Sequence, residues 1–374
     1  MWPRTELLDL LGIDLPIIQA PMAGAGGVDL AVAVVRAGGL GSLPCAMLDA
    51  QTIALQLAEV REAVNAANVT NATNSPNAPI NLNFFCHANP AADALAQQVW
   101  TDSLSEYYRE FGTQAPVPDA SIGRQPFDEQ WCQQVEAVKP AVVSFHFGLP
   151  EQALLRRVKA SGAAVISSAT TVEEARWLEG EGCDAIIAQG AEAGGHRGMF
   201  LTKDVHAQPS LMALLPQVVD AVALPVIAAG GIADGRAIAA AFALGACGVQ
   251  VGTAYLLTPQ SMISSLHRKA LVASRDDSTA LTNVFSGRPA RSVQNRLMRE
   301  QGPLSAQTPA FPTAGAALAP LKALSEQAGS ADFSSLWSGQ AAALARQMDA
   351  GSLTQLLAQE ALACLQGLGG RSGE

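Results

Sequence analysis

The sequence predicts an α/β fold, a (β/α)8 TIM barrel with an added helical cap and C-terminal region. Three observations lead there. Eight short apolar runs recur through the first two thirds of the chain, stretches of helical period separate them, and the 374 residues exceed the roughly 250 of a bare barrel. The runs lie at 15–18, 39–43, 80–85, 141–147, 163–167, 185–188, 225–229 and 248–252. They lack strict polar alternation, which suits strands covered on both faces, and strand-helix alternation implies parallel pairing through right-handed crossovers. Helical character is clearest at 28–37, 152–160, 172–181, 210–221 and 235–244.

Departures from an even repeat locate the additions. Residues 64–79 are polar and turn-rich and read as a surface loop before the third strand. Residues 88–135 are too long for a simple crossover, and their Trp100, Tyr107, Tyr108 and Phe111 suggest helices overhanging one barrel mouth, with the rings as core. After Thr258 and Pro259 no strand rhythm is visible. A helix is expected over 261–273, then a loop through Arg288 and Arg291, a Pro/Ala-rich stretch over 303–320 and amphipathic patterns through Gln366. The resulting division is a barrel at 1–260, a helical cap or substrate-side region at 261–335, and C-terminal helices at 336–374 that return to the barrel.

Apolar residues make up 49% and charged residues 15%, with 33 glycines scattered rather than periodic, so neither disorder nor collagen fits. The formal charge of −10 opposes a nucleic-acid or anionic-membrane footprint and leaves small molecules as the expected partners. Six cysteines form no CxxC pair, so neither zinc nor a disulfide framework is suggested. Arg4, Glu6, Asp9 and Asp14 interrupt the N-terminus, and no run of about 18 apolar residues occurs, so a soluble, cytoplasmic protein is expected.

In a barrel, chemistry gathers where strands end. The first run ends in QAPMAG, the third in NLNFF, the fourth in SFHFGLP, the sixth in AQGAEAGGHRG, the seventh in AAGGIADGR and the eighth in GVQVGT. Gly230 and Gly231 alone would be a tight turn. With Gly252 and Thr253 one strand later they favour a phosphate cradle, in which backbone N–H groups approach an anion and the following helix adds its positive end. No GxGxxG with a distant acid and no GxxxxGK[ST] is present.

Taken in order, QAPMAG, NLNFF, SFHFGLP, AQGAEAGGHRG, AAGGIADGR and GVQVGTAYLLTPQS resemble the nitronate monooxygenase family, formerly the 2-nitropropane dioxygenases, and SFHFGLP its bacterial class I branch. The resemblance covers roughly residues 13–295 and extends to LWSGQAA at 336–342. It implies non-covalent FMN and oxidation of alkyl nitronates, such as propionate 3-nitronate, by O2 to a carbonyl compound and nitrite. It puts cofactor contacts at Met22, Asn83, Gln189, Gly194, Gly231, Gln250, Val251, Gly252 and Thr253, and the catalytic base at His196. Oligomeric state is left open.

Gln and Asn offer both donors and acceptors to a flavin's edges, and Gly194 with Gly195 would leave room for its plane. Gln189 alone could equally satisfy loop backbone. His196 stands in a glycine-rich loop beyond a strand end, where an imidazole with an ordinary pKa of about 6.5 can take a nitroalkane's α-proton; protonated, it would instead attract an anionic nitronate. His146 is the substrate-side candidate or a buried, bonded histidine. His87 has a weaker claim, His206 and His267 read as surface, and Glu192 is a candidate orienting carboxylate. Cys183 and Cys247 read as small buried hydrophobes. The alternatives are an NAD(P)H-dependent flavin reductase on the same barrel, a non-catalytic flavin-binding barrel and, last, a phosphate-handling isomerase or aldolase.

Overall fold

Eight parallel strands stand where the eight apolar runs predict them. In chain order they are β1 (Ile17–Gln19), β2 (Gly41–Pro44), β3 (Ile80–Phe85), β4 (Val142–His146), β5 (Ala164–Ala169) and β6 (Ala185–Gln189), followed after a two-residue strand β7 (Gly195–His196) by β8 (Val226–Ala229) and β9 (Gly248–Val251). The ladder runs β1-β9-β8-β6-β5-β4-β3-β2, and a bridge from Ile18 to Leu40 brings its two edges together. The result is a nearly closed TIM barrel. The computed structural model describes residues 1–66, 78–116 and 124–369, so most of the loop expected at 64–79 lies outside the described residues.

The period of two along each strand divides the barrel. Val143 and Phe145 of β4, Ile186 and Ala188 of β6, and Val249 and Val251 of β9 join the apolar layer under the helices. Their neighbours Val142, Ile187 and Ile227 form an inner cluster that the N-terminal helix Glu6–Leu11 meets through Leu7 and Leu11. One step further along the strands that inner series turns polar: Ser144 and His146 follow Val142, and Gln189 follows Ile187. The barrel therefore has an apolar floor and a polar mouth.

The chain after Pro259 is less purely helical than the sequence suggests. Strands β10 (Thr279–Thr282) and β11 (Ala290–Val293) pair antiparallel with each other, and β11 pairs with β7. Arg291 thus lies in a strand rather than a loop. These strands are four residues each and find their partners across the fold, so local pattern does not announce them. The helix expected from 261 begins later, at Ser265–Val272, where the Ser264 hydroxyl accepts from His267 N. The helix Ala350–Gly369 packs on the helices Gly235–Ala243 and Val28–Arg36.

A second hydrophobic core sits apart from the barrel. Trp100, Tyr107 and Tyr108 are buried in it with Phe285, Leu297, Leu318, Leu321 and Phe333. Trp100 Nε1 donates to Ala314 O at 3.0 Å and Tyr108 OH to Ala317 O at 2.6 Å. The aromatic insert and the late cap segment are one packed unit, and its rings are core, as expected. Among the described residues no helix is long and apolar enough to cross a membrane.

Candidate active site

The turn after β6 is held from inside. Arg197 is fully buried; its Nη1 donates to Gly190 O at 2.6 Å, and its Nη2 to Gln189 O at 2.8 Å and Gln208 Oε1 at 3.0 Å. Gln189 spans the same turn, donating from Nε2 to His196 O at 3.0 Å and accepting from Gly198 N at 2.7 Å. With His196 also in register opposite Ala290 of β11, the glycine-rich loop is a rigid mount. Both amide atoms of Gln189 therefore satisfy loop backbone, the plainer of its two readings.

The imidazole of His196 is ringed by aromatic groups. Its centroid lies 5.3 Å from Trp337, 5.4 Å from Phe311 and 6.2 Å from Phe147, and Nε2 is 2.9 Å from Ser286 Oγ. Burial, then the cations Arg124 and Arg288 and the neighbouring histidines, hold its pKa well below 6.5. His196 is consequently neutral at pH 7. Positive charge in the chamber comes from Arg124, whose guanidinium carbon stands 5.6 Å from the Phe311 ring centre, and from Arg288, whose guanidinium carbon stands 3.8 Å above the Phe147 ring centre while Nη2 donates to Met199 O. Burial lowers its pKa to about 10, which still leaves it protonated. Phe147 itself has a left-handed backbone with φ 71°, a conformation uncommon for a bulky residue.

His146 is fixed at both ring nitrogens. Nε2 lies 3.2 Å from His196 O and Nδ1 3.1 Å from Ser168 Oγ. A carbonyl only accepts, so Nε2 carries the hydrogen and Nδ1 accepts from the serine. Burial takes its pKa down to about 3. Of the sequence candidates, His146 is thus a neutral, bonded residue that grips the loop carrying His196. His87 packs edge-on to Phe311 at 4.9 Å, and burial with the charge of Arg288 lowers its pKa to about 4. His206 is exposed, as expected, but His267 is not a surface residue: it is buried and its Nε2 meets Trp337 O at 3.1 Å. Glu192 does not orient His196, because both its oxygens accept from Leu211 N, at 3.0 and 2.9 Å, at the start of the helix Leu211–Ala221.

Several of the residues that the resemblance assigns to a cofactor stand at strand ends of the same mouth. Gln19 of β1 pairs with Val251 and Ala229 of β8 with Gln250, so Gln250, Gly252 and Gly231 stand on adjoining strand ends. Gln250 Oε1 is buried without a hydrogen-bond partner, an acceptor that suits an N–H of a ring system. A Cβ at Gly252 would come 3.8 Å from Met22 Sδ. Gly230 and Gly231 have φ of 115° and 68°, so the backbone there turns as only glycine does readily. Asn83 donates from Nδ2 to Ser144 Oγ at 2.9 Å, whereas Val251 has its side chain in the outer layer and only backbone to offer.

One expectation about this mouth is corrected, and one of its glycines has a packing reason of its own. The helix Gly235–Ala243 does not present an open positive end to a phosphate. Asp234 Oδ1 accepts from Arg236 N at 3.0 Å and Ala237 N at 3.1 Å, and Glu360 Oε2 accepts from Gly235 N at 3.2 Å. A cradle there would rest on loop backbone. Gly194, for its part, is glycine because the chain passes close by: a Cβ would sit 2.5 Å from Gly339 N and 2.6 Å from Ser338 C. Gly339 N also donates to Thr253 Oγ1 at 2.9 Å, so the 336–342 segment forms a wall of the site. A cleft of about 330 Å³ opens beside Gly230 and Gly231, between the helices Leu211–Ala221 and Gly235–Ala243.

Sequence reasoning did not assign Ser286, Arg288, Phe311 or Trp337 to the site. The one available signal was LWSGQAA, seen only as a continuation of the resemblance. A family model described as nitronate monooxygenase matches residues 4–360.

The chain belongs to the nitronate monooxygenase family. It is 40% identical over 353 residues to a nitronate monooxygenase of Pseudomonas aeruginosa, covering 94% of this chain and 97% of that one. A nitronate monooxygenase of Paraburkholderia phytofirmans is 39% identical over 359 residues, covering 96% and 95%. Among solved structures, a nitroalkane oxidase from Streptomyces ansochromogenes superposes with a TM-score of 0.84 at 36% identity, covering 97% of this chain and 99% of that one. These similarities span the segment after Pro259 as well as the barrel, the family match running from residue 4 to 360.

Proposed function

We propose that this protein is an FMN-dependent nitronate monooxygenase, oxidising alkyl nitronates such as propionate 3-nitronate with O2 to a carbonyl compound and nitrite. One observation carries the reading. A histidine kept neutral by burial stands beside a protonated arginine in an aromatic chamber at the polar mouth of the barrel. The residues fit a flavin: Gln250 offers an unpartnered buried acceptor, and the loops at Gly230–Gly231 and Gly252–Thr253 offer one phosphate cradle, enough for FMN and not for a dinucleotide. Bound FMN would take up the electrons of the substrate and hand them to oxygen.

The protein's own groups prepare the substrate. His196 takes the α-proton of a neutral nitroalkane, and Arg288 offsets the negative charge of the nitronate formed or bound. Phe147, Phe311 and Trp337 exclude water and so strengthen both interactions. Six free thiols suit a reducing cytoplasm, where we place the protein.

The test is the visible spectrum of the purified protein before and after anaerobic addition of a nitronate. A flavin spectrum that bleaches on mixing is expected, with FMN recovered by mass after heat release. Bleaching by NADH and not by nitronate overturns the reading in favour of a flavin reductase. A flavin reduced by neither, with His196 dispensable, makes the barrel a non-catalytic binder.

A further inference from the structure

We propose that Ser286 is a positioning residue that sets the tautomer of His196, accepting the Nε2 hydrogen so that Nδ1 is the nitrogen facing the substrate proton. The inference rests on the reading of His196 as the base.

Ser286 is buried, and its Oγ lies 2.9 Å from His196 Nε2. The direction of that hydrogen bond follows from the hydroxyl's other partners. Arg288 O is 3.3 Å from Oγ and can only accept, so the serine hydrogen points there, and Arg288 N donates to Oγ at 3.4 Å. With its single hydrogen committed, Oγ is left as an acceptor for Nε2–H. The mount is rigid. Gly287 N donates to Asn283 O at 2.7 Å, and Asn283 is tied by its own amide to Ser305 O at 2.8 Å and Thr308 Oγ1 at 2.7 Å. Gly287 has φ 85°, and a Cβ there would collide with Pro309 O, so the turn that presents the hydroxyl is specific to glycine.

In the proton-transfer step the substrate's α C–H bond breaks, its electron pair passes into the nitronate, and the proton forms a new N–H bond at Nδ1. Nε2–H stays on Ser286 throughout. The charged and titratable groups around the ring are Arg124, Arg288, His87 and His146, and among the described residues no carboxylate joins them. This cationic surrounding disfavours a lasting imidazolium, and a correct tautomer matters because, among the described residues, the partner of Nε2 is the Ser286 hydroxyl and not an acid.

The experiment uses the full chain with nitrogen-labelled histidine. Nitrogen NMR of His196 near neutral pH, assigned with His196→Asn, is expected to show the Nε2–H form in the wild type and a mixture of forms in Ser286→Ala. Deuterium exchange at the α-carbon of a neutral nitroalkane, which requires the base and no oxidation, should slow about 10- to 100-fold in Ser286→Ala. Ser286→Thr, which keeps the hydroxyl, should restore it, and turnover of preformed nitronate by Ser286→Ala should fall less than the exchange does. An Nδ1–H wild type, an unchanged exchange rate in Ser286→Ala, or equal losses on both substrates overturns the proposal. Failure of the enzymatic reading shows separately, as no turnover of preformed nitronate by the wild type.

Discussion

His146 donates its Nε2 hydrogen to the carbonyl of His196 at 3.2 Å, so one histidine holds the other by its backbone. Gln189 donates to the same oxygen at 3.0 Å. His196 is thus fixed along the main chain by two side chains that reach it from the barrel interior. His146→Leu removes one of these grips and leaves Ser168 Oγ without its partner. We expect a loss of about 1–3 kcal/mol in stability and a fall in kcat of about tenfold or more from displacement of the ring. His146→Gln, which keeps a donor, should recover part of both. Full activity in the leucine variant, measured beside its Tm, would remove the positioning role.

His196→Asn separates proton abstraction from binding. Turnover of neutral nitroalkanes should fall by roughly 10²–10⁴, the usual yield of general-base catalysis, and turnover of preformed nitronate should fall less. The wild-type pH profile follows from the depressed pKa of His196. The base works when unprotonated, so kcat/KM for the neutral substrate should be flat through neutral pH and decline only below 6.5. A limb centred at or above 6.5 would show that the ring is not held neutral as described.

Arg288→Met should raise KM for an anionic nitronate without a matching fall in kcat, since it removes attraction present before reaction. Arg288→Lys should do so too, because a point charge does not stack on Phe147 as the planar guanidinium does. Unchanged KM in both variants would take the charge role away from this residue.

Gly231→Asp should lower flavin content far more than it lowers Tm, because it adds a negative side chain where backbone is to approach a phosphate. The left-handed φ at this position strains any residue other than glycine, Asp less than most, so some fall in Tm is expected and the flavin loss should exceed it. Full flavin content in the purified variant would move the cradle elsewhere. Gly194→Ala is the contrasting case. Its Cβ would press on Ser338 and Gly339, so Tm should drop, by about 1–3 kcal/mol of stability, and Trp337 should shift from His196.

Acid should destabilise the protein earlier than its carboxylates alone would dictate. His87, His146 and His267 have pKa values lowered to about 4, 3 and 4 by burial. An unfolded histidine near 6.5 binds a proton that the folded one refuses, so each contributes stability above 6.5 that is lost as pH falls toward its folded pKa. Each adds up to about 1.4 kcal/mol per pH unit in that window. His267→Gln should therefore flatten the dependence of Tm on pH between 6.5 and 4, and an unaltered slope would contradict it.

The barrel was legible because strands covered on both faces carry adjacent buried apolar residues, as at Val142–Val143 of β4 and Ile186–Ile187 of β6. The loop that carries His196 was legible because its glycines and His196 are contiguous. What encloses His196 was not. Ser286 and Arg288 reach it only because β11 pairs with β7, and Trp337 only because the chain returns over Gly194. Such contacts are set by tertiary register, which leaves no period in the sequence. His267 misled for the same reason: its partner is a backbone carbonyl 70 residues away.

The second core has a consequence for how the chain is made. Trp100 and its hydrogen-bond partner Ala314 are separated by 214 positions, and Tyr107 meets Phe333 at 5.1 Å. During synthesis the aromatic insert emerges long before the residues that cover it. Until then Trp100, Tyr107 and Tyr108 are an uncovered sticky surface, and the strand β1 likewise waits for β9 to zip the ring shut. Contacts this remote in sequence make folding slow. Fragments that end ahead of residue 284 should accordingly clump or recruit chaperones while longer ones stay dispersed.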